Sequence, residues 1–118
     1  MRDHTALKVF GLADSLALAV YRESRNFPDS EKYGLQSQVR RAAVSIAANI
    51  VEGSARSSQA EYMRFIEIAY ASTRELEYEI SLSRRLGYLS LDAAARVEEH
   101  CAETGMALNG LLKFLRNG

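Results

Sequence analysis

YGLQSQVRRAAVSIAANIVEG, residues 33–53, places Leu35, Val39, Ala42 or Ala43, Ile46 and Ile50 at steps of three and four. That spacing draws one apolar stripe along a helix. A second stripe runs beside it, because Arg41, Ser45, Asn49 and Glu52 are four, four and three residues apart and share a face. A helix that only packed would not carry Arg, Ser, Asn and Glu so close to its buried seam. An unpaired buried polar group costs about 1–3 kcal/mol, so these side chains require partners.

Working outward, Phe10, Ala13, Ala17, Val20 and Tyr21 form the seam of a helix over about residues 8–24, widened by Leu7, Leu12 and Leu16. Pro28 stops that pattern, and Asp29 or Ser30 caps the next helix, over 30–53, which Gly53 closes as a left-handed C-cap. The link SARSS is short, so the second and third helices are antiparallel neighbours. Ser58-Gln59-Ala60-Glu61 reads as a capping box opening a third helix, over 58–86, on the order of 40 Å long and stopped by Gly87. Ser90 caps a fourth, over 90–116, with Ala94, Val97, Cys101, Leu108, Leu111 or Leu112, and Leu115 on its seam. Gly105 and Gly110 each cost that helix about 1 kcal/mol against alanine, which predicts close helix approach at both. The pattern predicts an all-α fold, an antiparallel up-down-up-down four-helix bundle forming a single domain over 1–118.

Composition agrees with a helical protein and narrows its class. At 118 residues and 47% hydrophobic content, the chain has enough apolar surface for one core and is not a disordered segment. A single proline and seven glycines leave few sites for β-turns. Fifteen basic and fifteen acidic side chains cancel, unlike the profile of a dedicated nucleic-acid binder. One cysteine permits no internal disulfide and fits a reducing compartment. No apolar run approaches the roughly 20 residues of a membrane span, and MRDHTALKVF lacks a signal-peptide core. The expectation is a cytoplasmic protein with no membrane contact.

FPDSEKYGL, then QVRRAAVSIAANIVEG, then a helix carrying EYMRFIEIAYASTRELE, resembles the four-helix-bundle family of proteins encoded in 23S rRNA intervening sequences. That S23-type family includes the accessory variability protein of diversity-generating retroelements. The resemblance covers residues 7–115. It implies a homopentameric ring without known enzymatic activity, and its retroelement members bind nucleic acid and a reverse transcriptase.

With a turn-around near Arg56, the second helix places Arg41 opposite Ser72 and within a turn of Glu75. Asn49 then faces Arg64, and Glu52 lies beside Arg64. This register predicts the ion pairs Arg41–Glu75 and Glu52–Arg64 within a network of Arg41, Ser45, Asn49, Glu52, Arg64, Ser72 and Glu75. The reading adopted is a structural network that fixes helix register; the alternative is a ligand site.

No catalytic, metal or cofactor site is expected. His100 and Cys101 are adjacent and point about 100° apart on a helix, so they cannot ligate one zinc from it. His4 falls in an N-terminal tail, no Glu-x-x-His pair suggests a di-iron centre, and no nucleophile–base pair or phosphate loop occurs. Twelve of the fifteen basic residues are arginine. Arg40, Arg56, Arg84 and Arg85 are the candidates for weak RNA or DNA binding. The doublet Arg84-Arg85 also suits the negative end of a helix dipole.

The third helix is apolar almost all round, from Tyr62 and Met63 through Phe65, Ile66, Ile68 and Ala69 to Tyr70 and Ala71. Such a helix is buried on more than one side. Tyr62, Phe65, Tyr70 and Tyr78 are therefore the candidate anchors of a self-interface. The expected function is a non-enzymatic oligomeric module, a pentameric ring on the family resemblance, presenting a surface to a macromolecular partner. The alternative is a nucleic-acid-binding accessory protein.

Overall fold

The computed structural model describes residues 4–117; residues 1–3 and Gly118, which the expected domain also takes in, lie outside it. Four helices account for almost all of it: α1 (His4–Glu23), α2 (Leu35–Ser54), α3 (Gln59–Arg85) and α4 (Leu91–Asn117). Two single 3₁₀ turns, Ser24–Asn26 and Asp29–Glu31, join α1 to α2. Packing runs round a square, α1 on α2, α2 on α3, α3 on α4 and α4 back on α1. The result is a four-helix bundle of 45 × 24 × 18 Å with no strand among the described residues. No helix among them is long and apolar enough to cross a membrane.

The seams of α2 and α4 lie where their periodicity places them. Leu35, Val39, Ala42, Ala43, Ile46 and Ile50 are buried, as are Ala94, Val97, Cys101, Leu108, Leu111, Leu112 and Leu115. The seam of α1 is rotated from the expected one. Ala6, Val9, Ala13, Leu16 and Val20 are buried, whereas Leu7 and Tyr21 are exposed. Leucines lie on more than one side of this helix: Leu16 is buried while Leu7 and Leu18 are exposed, so leucine alone does not mark its core face. The helix also begins at His4 rather than near residue 8, so His4 is not in a tail.

Caps explain the remaining boundaries. Ser58 Oγ accepts from the Glu61 amide at 3.1 Å, and Ser90 Oγ from the Ala93 amide at 3.0 Å. Gly87, at φ +82°, ends α3 by donating its amide to Arg84 O. Neither Asp29 nor Ser30 caps α2, which begins at Leu35, beyond the 3₁₀ turn Asp29–Glu31. Glu31 does so instead: its Oε1 accepts from the Leu35 amide at 2.9 Å, while its Oε2 accepts from the Tyr88 hydroxyl at 3.0 Å. These two bonds hold the Glu31 carboxyl below the usual carboxylate range.

Gly53 is not a left-handed C-cap. It lies buried inside α2, which runs on to Ser54 and closes on Ala55 in right-handed geometry. A Cβ at Gly53 would meet Phe65 Cβ at 2.8 Å, so α2 and α3 approach through this residue. Gly105 and Gly110 do not mark close approach within the chain: a Cβ at Gly105 would make an ordinary 3.6 Å contact with Thr73, and one at Gly110 would meet nothing. Gly11, exposed in α1, has equally open space. Gly11→Ala is therefore expected to stabilise by about 0.5–1 kcal/mol through helix propensity alone, read as a higher urea midpoint at unchanged slope. A lower midpoint would reveal a neighbour at α1 that the single chain does not supply.

Candidate assembly face and the α2–α3 groove

The polar stripe of α2 lies along α3, one helical turn away from its expected register. Ser45 Oγ and Ser72 Oγ share a hydrogen bond of 2.9 Å, so Ser45, not Arg41, stands opposite Ser72. Asn49 Nδ2 donates to Ser45 O at 2.8 Å and to Ser45 Oγ at 3.0 Å. Because α2 continues past Gly53, the chain turns later than Arg56 and every facing pair shifts. Glu52 consequently pairs with Arg56 at 2.6 Å instead of Arg64, which is exposed. The Arg56 guanidinium also stacks 4.9 Å from the Phe65 ring centroid. Arg41 and Glu75 line a cavity of about 500 Å³ above the serine pair, but no ion pair joins them.

Of the four aromatic residues expected at a self-interface, Tyr62 is fully buried in the core. Phe65 is half-buried beneath Arg56, and Tyr70 is half-buried in the α3–α4 groove. Only Tyr78 is exposed, at 60%. The breadth of apolar residues on α3 is explained in large part by its two neighbours, α2 and α4. A different stripe is unpartnered. Val44, Ala48 and Val51 of α2 and its C-cap Ala55 recur at steps of four, three and four, and all four are exposed. On the neighbouring α3, Ile68, Ala71 and Tyr78 are exposed too. The stripe sits in the very stretch that carries the core seam, and its period was open to the same counting.

The candidate arginines do not form one surface. Arg40 Nε donates to Ser24 Oγ at 2.9 Å, and its guanidinium lies 4.6 Å from the Tyr21 ring centroid, fastening α2 to the end of α1. Arg84 faces Glu98 at 3.4 Å, and Arg85 Nε donates to Ser81 O at 3.3 Å. Arg56 sits sixteen residues along from Arg40, about 24 Å away at the other end of the bundle.

The 23S rRNA-intervening sequence protein family model matches residues 5–110, nearly the whole chain. The chain belongs to that family. A crystal structure of a protein of unknown function from the S23 ribosomal protein family, from Bacteroides thetaiotaomicron, superposes with a TM-score of 0.85 at 22% identity. The match covers 92% of this chain and 98% of the other, and at that identity it speaks for the fold alone. No curated protein matches the chain.

Two titratable groups of this 23S rRNA-intervening sequence protein family member are strongly shifted. Cys101, packed in the core of α4, has its thiol pushed up to about 12, mainly by burial and then by the charges of Glu77 and Glu98. Such a thiol is inert as a nucleophile. No group of three His, Cys, Asp or Glu side chains could hold a metal ion among the described residues. Glu79, 5% exposed on α3, has a carboxyl raised to about 7, first by burial, then by the charge of Glu75 and a hydrogen bond with it. Its Oε1 is buried without a hydrogen-bond partner. Nothing in the sequence distinguishes this glutamate from the solvated ones around it.

Glu79 makes stability pH-dependent. A carboxyl raised in the folded state leaves stability whole below the unfolded value of 4.5 and erodes it as pH climbs through about 7. Glu79→Gln is expected to abolish that decline and to add about 1–2 kcal/mol at pH 8. That is less than the full linkage of the shift, because exposed Glu75 beside it keeps the site partly solvated. Denaturant titrations at pH 4.5, 6 and 8 check it; parallel curves for the two proteins would contradict it.

Proposed function

We propose that this chain is a non-enzymatic assembly module whose copies close into a ring and present its outer surface to a macromolecular partner. The observation that carries this is the exposed apolar stripe Val44-Ala48-Val51 of α2, with Ile68 and Ala71 exposed as well on the neighbouring α3. Contiguous apolar surface on a folded chain marks a contact with another molecule. A head-to-tail ring needs two different faces. Met106, Gly110 and Phe114, four residues apart along the outside of α4, are suited to the second. Met106 is 77% and Phe114 60% exposed, and the glycine between them leaves a notch that a neighbouring helix can enter. A stoichiometry of five is taken from the family resemblance; the surface alone requires only more than one copy.

Light scattering on the purified protein tests this directly, with an expected mass of about five times 13.1 kDa. A monomer at micromolar concentration would overturn the proposal, and a dimer or tetramer would keep the interface and change the stoichiometry.

A further inference from the structure

A solvent-open cleft of about 310 Å³ lies between the end of α1 and the start of α2, and Arg41 at its edge also lines the α2–α3 cavity that holds Glu75. Its charged lining is Lys32, Arg40 and Arg41, with no carboxylate, although the chain as a whole is neutral. Lys32 and Arg41 are exposed, and neither has an acidic partner at ion-pair distance among the described residues. The nearby Glu31 is spoken for by the Leu35 amide and the Tyr88 hydroxyl. Two tyrosines alternate with the cations. Tyr21 is 44% exposed beneath the Arg40 guanidinium, and Tyr33 is 89% exposed with the Lys32 ammonium 5.5 Å from its ring centroid. Arg40 is fixed by its bonds to Ser24 and Tyr21 O, so this part of the cleft is built before any ligand arrives.

Cations interleaved with uncovered aromatic rings are the chemistry of single-stranded nucleic acid, whose phosphates need the charges and whose bases need a flat apolar face. An acidic peptide would use Lys32 and Arg41 but leave the Tyr33 ring in water. A duplex would offer phosphates and keep its bases stacked inside. We propose that this cleft binds a single-stranded nucleic acid, with a base stacked on Tyr33 and the flanking phosphates on Lys32 and Arg41. The site lies within one chain and stands whether or not the copies form a ring.

Fluorescence anisotropy of a labelled twelve-nucleotide oligouridylate at about 50 mM salt tests it. Tyr33→Ala is expected to raise Kd about tenfold, the loss of one stacked base, while Tyr33→Phe keeps the affinity. Lys32→Gln and Arg41→Gln are each expected to flatten the dependence of log K on log salt by about 0.7, the release of one counterion. Arg84→Gln with Arg85→Gln should leave both readings unchanged. Circular dichroism confirms that each variant remains folded, and light scattering that its mass is unaltered, so a loss of assembly is read separately. Undetectable binding, an unchanged Kd for Tyr33→Ala, equal affinity for a duplex of the same length, or equal competition by polyglutamate would each overturn the assignment.

Discussion

Gly53→Val is expected to destabilise the fold by about 3 kcal/mol and to lower Tm by roughly 10 °C. The first added carbon would stand 2.8 Å from Phe65 Cβ and 3.1 Å from Tyr62 Cδ1. Phe65 Cβ cannot swing aside, because it is bonded directly to the backbone of α3. Tyr62 cannot withdraw either, since it is fully buried among its own core neighbours. Relief therefore requires α2 and α3 to separate, which opens space along the Ser45–Ser72 contact as well. Gly53→Ala offers a graded comparison. Alanine gains about 1 kcal/mol of helix propensity at an interior position, so its net cost should be about 1 kcal/mol. Thermal melts of both variants, followed by far-ultraviolet circular dichroism, decide the matter. An alanine variant as stabilised as Gly11→Ala would mean the two helices do not meet at this glycine.

The second large effect is on mass. Val44→Glu with Val51→Glu is expected to convert the assembled protein to a 13.1 kDa species with an unchanged helical spectrum. Each substitution forfeits the burial of a valine, about 1.5 kcal/mol or more, and forces a carboxylate without a partner into a closing interface. Because the two residues are 45% and 48% exposed in the single chain, the bundle itself loses little. Leu91→Glu is the control, equally apolar and 73% exposed, but at the first position of α4, where a carboxylate favours the helix dipole. It should leave the mass untouched. If the double variant keeps its full mass, the copies meet elsewhere, and the α4 stripe of Met106 and Phe114 is the next surface to change.

The fold was legible because period or punctuation held in three of the four helices. Ile46 and Ile50 lie on the seam that their spacing draws, and Ser58, Gly87 and Ser90 sit at the caps their chemistry suits. The α1 seam was not legible, because leucines on more than one side of that helix blur its period. The α2–α3 pairings failed for one reason. Gly53 has two uses in a helix, as a left-handed cap and as a point of close approach, and a single sequence does not say which. Taking it as a cap ended α2 too early and displaced Arg41–Glu75 and Glu52–Arg64 by a turn. The candidate site fared worse, since exposure is a property of the assembled bundle. Tyr62 and Tyr78 look alike in the chain, yet one is core and the other solvent-facing. Tyr33 and Lys32 gain their meaning only beside Tyr21 of α1 and Arg40 of α2.

Glu31 serves two elements with one carboxylate, and the consequence is kinetic. Its bonds reach the first amide of α2 and the Tyr88 hydroxyl just beyond Gly87, so the two connections at that end of the bundle are joined and cannot breathe separately. At the other end the α2–α3 turn is held by Gln59 Nε2 on Leu115 O and by the exposed pair Glu52–Arg56. Brief openings of the native state therefore begin at the second end, and its amide protons trade with solvent sooner than those of Leu35 and Tyr88.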